Sequence, residues 1–316
     1  MAKKKFRILS IDGGGLRGIV PLMVLKQIEL ETGKRIHEMF DMFVGTSTGG
    51  IIVCGLLGSS DGKSPNLTVE MLMNLYTSKA DEIFPYGNFI TRPVRKLWSW
   101  IRPKFSPSGL DKNLSEYFGE LNLSDLLKPG IVTSYDIKNH EVVMFKSRKS
   151  NEQGYDVPLS KVCRATSAAP TYLRSYKMDF GGKDRVCVDG GVYINNPSMA
   201  AVADAIKTYG MKASDIEVLS LGTGTHPPKF EQSETYGKLQ WAAPISEVMM
   251  AGTSAAAAYE CEFIVGKHVR VQVKIHDEDR KDMADSRPST ADYIKSLVRK
   301  QVLENEDVMN SIRYFY

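Results

Sequence analysis

Residues 42–57 read MFVGTSTGGIIVCGLL: a β-prone run, a glycine turn and an apolar helix in immediate succession. Met42 to Val44 is the strand signal, Gly45 and Gly49 flank Ser47, and Ile51 to Leu57 continue as helix. A serine between small neighbours on a strand-to-helix turn is a nucleophile elbow, in which the tight turn holds the hydroxyl oxygen out at the helix amino end. The positive end of the helix dipole there favours developing negative charge. The string Gly45-Thr46-Ser47-Thr48-Gly49 fits GxSxG, and taken alone it also suits a serine N-cap in a glycine turn. Its place between strand and helix points to a nucleophile.

Working outward, Phe6 to Ile11 is a second β-prone run, ending in Asp12-Gly13-Gly14-Gly15-Leu16-Arg17-Gly18. A helical pattern opens at Gly18 with Ile19, Leu22, Leu25 and Ile28 on one face, and Gly33 is its stop. Strand, glycine turn and helix, repeated twice, is the cadence of a parallel sheet with crossover helices. Ile131 to Ile137 and Glu141 to Phe145 read as a hairpin about Lys138-Asn139-His140. Val186 to Val188 is a short strand ending at Asp189-Gly190-Gly191, and Asn196 with Pro197 opens another helix. Ile216 to Leu221 is a strand ending in GTGT, and residues 246–262 and 289–304 are helices around a strand at Val269 to Ile275. Several strands thus end at glycine turns, and the crevice of an open α/β sheet lies at the carboxyl ends of its strands. The reading is one α/β domain over residues 1–316, a mainly parallel central sheet flanked by helices.

Composition narrows the function classes. Hydrophobic residues make up 42% and charged residues 25% of 316, ordinary for a folded domain and unlike a disordered or collagen-like chain. The formal net charge of +4 is too mild to signal a nucleic-acid polymer as partner. Cys54, Cys163, Cys187 and Cys261 show no CxxC spacing, so no metal site and no disulfide framework is expected, and they read as reduced, mostly buried thiols of a cytoplasmic protein. The start, MAKKKF, is followed by RILSIDGGG where a signal peptide would carry its apolar stretch. The longest apolar run has seven residues, Ile51 to Leu57, against the ~20 of a membrane span. Any membrane contact is expected to be peripheral.

Ile83 to Leu110 stands apart. It has no acidic residue, five basic ones (Arg92, Arg95, Lys96, Arg102, Lys104) and two of the three tryptophans, Trp98 and Trp100. Prolines at 85, 93, 103 and 107 prevent one long helix. Two readings stand side by side: a surface insertion with solvated charges, or a lid or interfacial patch whose Trp and Lys/Arg suit a headgroup layer.

The glycine loop also has two readings. Gly13, Gly15 and Gly18 satisfy the GxGxxG of a dinucleotide site, which expects an acid at the end of the second strand. Glu38 and Asp41 are near the right distance but precede that strand. Alternatively, the amides of Gly13, Gly14 and Gly15 form an oxyanion hole facing Ser47. The serine needs a base. His226, after the Ile216–Leu221 strand, would complete a Ser–Asp–His order. Asp189, at a strand end beside two glycines, would accept the proton directly.

Taken together, DGGGLRG, GTSTG and DGG in this order resemble the patatin-like phospholipases, a likeness that runs from residue 6 to about 225. Ala165-Thr166-Ser167-Ala168-Ala169-Pro170, Asn195-Asn196-Pro197 and Ser220-Leu221-Gly222-Thr223-Gly224 match the family's usual surroundings. The resemblance implies a patatin-like domain and a serine hydrolase with a Ser47–Asp189 dyad. Gly13 to Gly15 would hold the oxyanion, Arg17 would orient that loop or anchor substrate, and no cofactor would be needed. Gly45, Thr46, Gly49, Gly190 and Gly191 are the supporting positions. In form the chain also looks like the bacterial phospholipases of cyclic-oligonucleotide antiphage defence. That likeness implies a cyclic dinucleotide activator, membrane phospholipid as substrate, assembly into a homo-oligomer on activation, and action at the inner face of the cell membrane. The competing functions are a Ser–Asp–His esterase, a nucleotide-binding oxidoreductase built on GxGxxG, and a catalytically silent binding module.

Overall fold

β1 (Phe6–Ile11) and β2 (Met42–Thr46) pair in parallel from Ile8↔Met42 to Ile11↔Gly45. The glycine loop after Ile11 and the serine turn after Thr46 therefore leave the sheet side by side. Ile8, Leu9, Ile11, Met42, Phe43 and Val44 are all fully buried, the pattern of interior parallel strands covered on both faces. The computed structural model describes residues 5–86, 102–226, 235–241 and 245–316.

A parallel pair requires a crossover, and α1 (Ile19–Thr32) supplies it by burying the predicted face of Ile19, Leu22, Leu25 and Ile28. It stops at Gly33, whose φ of 66° is left-handed and whose N–H returns to Glu29 O. α2 (Thr48–Leu57) is apolar all round, and every one of its residues is buried. α3 (Val69–Tyr76) is capped by Thr68 Oγ1 and packs on α1.

Among the described residues, eight strands form one sheet. β3 (Gly130–Asp136), β4 (Glu141–Lys146), β5 (Tyr176–Phe180), β6 (Lys183–Asp189), β7 (Ile216–Leu221) and β8 (Lys267–Val271) complete the order β5-β6-β3-β2-β1-β7-β8, with β4 beside β3. The flanking helices are α4 (Ser108–Phe118), α5 (Leu159–Thr166), α6 (Ser198–Tyr209), α7 (Ile245–Ile264), α8 (Pro288–Val298) and α9 (Glu306–Arg313). Alternate strand residues feed two cores. Leu9, Ile11, Phe43, Leu219 and Leu221 join the larger one with α1 and α2, while Ile8, Met42, Val44 and Val218 meet Ala201 and Val202 of α6 and Cys261 of α7. All four cysteines are free and buried.

The sheet is mixed, where the sequence predicts a mainly parallel one. β1–β2, β1–β7, β2–β3 and β7–β8 are parallel, but β3–β4, β3–β6 and β5–β6 are antiparallel. Hairpin connections are short and need no crossover helix, and the predicted 131–145 hairpin is one of them. The consequence for the site is specific. β4 occupies one edge of β3 from Ile131 to Asp136, so β2 and β6 share the other edge. β2 runs parallel to β3 and finishes with Thr46 opposite Thr133, while β6 runs antiparallel and finishes with Asp189 opposite Ser134. The carboxyl ends of β2 and β6 thus meet head-on in one lane of the sheet.

Of the basic and aromatic segment, Arg92, Arg95, Lys96, Trp98 and Trp100 lie outside the described residues. Its described ends are anchored: Ile83, Phe105 and Leu110 are buried in the larger core. Lys104 is paired with Asp282 at 2.6 Å and stacks over Phe105 and Tyr172, so its charge is already committed within the protein. Among the described residues, no helix is long and apolar enough to cross a membrane.

Candidate active site

Ser47 sits between the last residue of β2 and the first of α2 with φ 54° and ψ −121°. A positive φ is costly for a residue with a Cβ and persists only where the surroundings over-determine it. Here they do. The Ser47 N–H donates to Thr166 Oγ1 at 2.8 Å, and the Thr166 hydroxyl donates onward to Thr133 O at 2.6 Å. Thr46 Oγ1 donates to Ile194 O at 2.7 Å, tying the turn to the loop after Asp189. On the other side α2 presses against β1 so closely that a Cβ on Gly49 would lie 2.1 Å from Ile11 O. Gly45 faces Gly49 across the same turn.

Ser47 Oγ donates to Asp189 Oδ2 at 2.6 Å. Asp189 is held from three sides: its own N–H donates to Ala168 O, Gly191 N–H donates to Oδ1 at 2.7 Å, and Gly190 backs onto Thr133. The residue is only 7% exposed. Burial raises its pKa to about 6, against the hydrogen bonds from Ser47 and Gly191 that favour the charged form. A carboxylate that titrates just below neutrality and already holds the serine proton donor is suited to general-base work.

The glycine loop abuts this pair: a Cβ on Gly13 would lie 3.3 Å from Ser47 Cβ. The loop is braced by backbone and side chains together. Gly13 N–H donates to Asn195 O, the Thr223 hydroxyl donates to Gly13 O at 2.6 Å, and Leu16 N–H donates to Met283 O. Thr223 packs so tightly that a Cβ on Gly14 would meet its Oγ1 at 2.1 Å. At the loop's root, Asp12 takes a two-pronged hydrogen bond from Arg270, at 2.8 and 2.5 Å. Burial pushes the Asp12 carboxyl up and the Arg270 guanidinium opposes it. The sequence reading offers three amides to an oxyanion, but the Gly13 N–H is already committed to Asn195 O. Those of Gly14 and Gly15 have no acceptor among the described residues.

Arg17 turns toward Gly224 O at 3.4 Å, and its Nε has no partner among the described residues. Burial lowers its pKa, with Tyr172, Glu247 and Asp282 acting in the opposite direction. His226 is not brought to the serine. Its two ring nitrogens engage Ile275 O and Glu278 Oε1, each at 3.0 Å. Glu38 and Asp41 lie at the amino end of β2, across the sheet from the glycine loop, and the Asp12 carboxylate that opens the loop is spent on Arg270. Neither the triad nor the dinucleotide arrangement is assembled.

Sequence reasoning left several supporting residues without a role: Thr166, Thr223, Asn195, Arg270 and the carbonyl of Met283. Thr166, Asn195 and Thr223 fall in stretches the resemblance singles out. Arg270 left no such signal, since its alternation with Val269, Val271 and Val273 reads as the polar face of a strand.

These features define a class: an α/β protein with a serine on a nucleophile elbow, a carboxylate on its hydroxyl and a glycine loop beside both. The family model of the patatin-like phospholipases matches residues 9–202, more than half of the chain. The chain belongs to that family, whose members are lipid acyl hydrolases. It is 31% identical over 262 residues to patatin-like protein 2 of Arabidopsis thaliana, covering 74% of this chain and 64% of that protein. It is 27% identical to patatin-like protein 4 of the same plant, covering 98% of this chain and 86% of the relative. With patatin-like protein 1 of Oryza sativa subsp. indica, identity is 28% over 93% of this chain and 80% of the relative.

Proposed function

We propose that Ser47 and Asp189 form a catalytic dyad that hydrolyses phospholipid esters. The observation that carries the reading is the 2.6 Å hydrogen bond from Ser47 Oγ to a buried carboxylate, at the point where two strand ends meet head-on. Asp189 takes the hydroxyl proton as Oγ bonds to the ester carbonyl carbon. The carbonyl oxygen becomes an oxyanion, which the amides of Gly14 and Gly15 receive together with the positive end of α2. Collapse of this intermediate breaks the bond to the alcohol, which leaves with the proton from Asp189. Water then attacks the acyl-serine, Asp189 taking its proton and returning it to Ser47 as the fatty acid departs. A pKa of about 6 leaves Asp189 ionised at pH 7 yet able to give the proton back.

A fluorophosphonate probe tests the reading. It should label Ser47 alone, and Ser47→Ala and Asp189→Asn should each lose acyl release by several orders of magnitude with folding intact. Labelling elsewhere, or full activity in Ser47→Ala, overturns it. The narrower resemblance adds that the resting enzyme is held off until a cyclic dinucleotide binds, biasing a two-state equilibrium by differential affinity. Full-rate hydrolysis without ligand, unchanged by a panel of cyclic nucleotides, overturns that addition and leaves the dyad standing.

A further inference from the structure

α7 lies over the loop that follows Asp189. Ser254 Oγ accepts a hydrogen bond from Asn195 Nδ2 at 3.2 Å, and Ser254 O accepts one from Asn196 Nδ2 at 3.3 Å. Met250 Sδ is within 3.8 Å of where a Cβ on Gly191 would lie, and Glu247 is near enough to Arg17 to act on its charge. The inner face of the helix therefore runs along the site. Among the described residues, nothing covers the outer face. Of its twenty residues only Ala257 and Cys261 are buried. Ile245, Met249, Gly252, Ala256, Tyr259 and Phe263, at helical spacing, make one exposed apolar stripe. Tyr259 and Phe263, 67% and 72% exposed, pack against each other with ring centroids 4.7 Å apart and planes tilted by 50°.

We propose that this outer face docks the enzyme on a neutral, zwitterionic phospholipid surface, with Tyr259 and Phe263 entering the headgroup layer. The inference rests on the lipid-ester reading of the adjacent site. Composition favours it, since aromatic rings with aliphatic neighbours on one helix face suit the boundary between headgroups and acyl chains. Charge selects the occupant. Glu247 lies on the inner face near Arg17; beyond it the helix carries exposed Glu260 and Glu262 and no lysine or arginine. An anionic surface would be repelled, and a second copy of the same helix would set glutamate against glutamate. A zwitterionic layer faces no such penalty, and it is also where the proposed substrate resides. One helix diameter, about 10 Å, then separates the lipid from the loop that follows Asp189.

The test is co-sedimentation of the full chain with phosphatidylcholine vesicles at low and high salt, alongside release of fatty acid from them and hydrolysis of a soluble short-chain ester. Wild type should bind equally at both salt concentrations, because apolar insertion is not screened. The double variant Tyr259→Ser/Phe263→Ser should bind about tenfold or more weakly and release fatty acid slower by the same factor. Its soluble-ester activity should be unchanged, which also shows that it is folded. Equal binding by the variant overturns the proposal, as does wild-type binding confined to anionic vesicles at low salt. So does a wild-type oligomer that the variant dissolves, which would make the face a self-interface. If wild type binds, the variant does not, and neither releases fatty acid, the docking face stands and the substrate reading falls.

Discussion

Replacing Asp189 by asparagine should make the protein more stable and inactive at once. Asp189 titrates at about 6 in the folded chain, against a reference of 3.8, because burial penalises its charge. The folded state therefore binds a proton more readily than the unfolded state between those two values. Stability falls as pH rises through this window and stays level above pH 6. Two units at about 1.4 kcal/mol each place the cost of the ionised carboxyl near 3 kcal/mol at pH 7.5. Asparagine removes that charge while keeping an oxygen for the Gly191 N–H, so most of the cost should be recovered. Urea denaturation of wild type and Asp189→Asn from pH 4 to pH 8 measures it. The variant should lead by roughly 2–3 kcal/mol at pH 7.5, and its lead should shrink toward zero near pH 4. Acyl release should meanwhile drop by about a thousandfold or more. A variant no more stable than wild type at pH 7.5, or a gap that does not close in acid, refutes the claim that the site stores a buried charge its hydrogen bonds only partly offset.

Three further outcomes follow from the same geometry. The kcat/KM of the wild type should fall about tenfold per pH unit below pH 6 as Asp189 protonates, and His226→Ala should retain that profile because both ring nitrogens of His226 are engaged away from the serine. Gly14→Val drives a side chain into Thr223 and displaces the loop amides, so kcat should fall by about a hundredfold or more with a smaller change in KM; unchanged kcat in a folded protein removes the oxyanion role. Arg270→Met strands the buried Asp12 carboxylate and should cost about 3–5 kcal/mol in unfolding experiments, with Asp12→Asn on the same chain restoring a large part.

Local features were legible because local chemistry determines them. Gly33 ends α1 where a left-handed residue is needed, and the apolar all-round pattern of Ile51 to Leu57 could only be an interior helix. The strand–turn–helix context of Ser47 likewise follows from neighbours within a few positions. The antiparallel pairing of β6 with β3 and β5 was not legible. A six-residue apolar run pairs parallel or antiparallel with equal local ease, and long-range pairing decides between them. Arg270, 258 positions from Asp12, alternates with valines as a solvent-facing residue would, so its pairing with Asp12 could not be read. Nor could the loss of the Gly13 amide to Asn195 O, because a backbone carbonyl leaves no mark in the sequence.

The meeting of Ser47 and Asp189 shows where that boundary falls. Each residue alone is ambiguous: a serine in a glycine turn can be a cap, and an aspartate before glycine is a common turn former. What joins them is β3, whose free edge is shared between β2 for Gly130 to Thr133 and β6 for Ser134 to Asp136. Because one strand arrives parallel and the other antiparallel, both present their carboxyl ends to the same junction, and the two side chains come to hydrogen-bonding distance. In a fully parallel sheet the carboxyl end of β6 could not face that of β2 within one lane, and a base would have to reach the serine from a loop. The antiparallel course of β6, which the sequence reading did not contain, is thus what allows a carboxylate fixed on a strand to meet the serine directly, with no histidine between them.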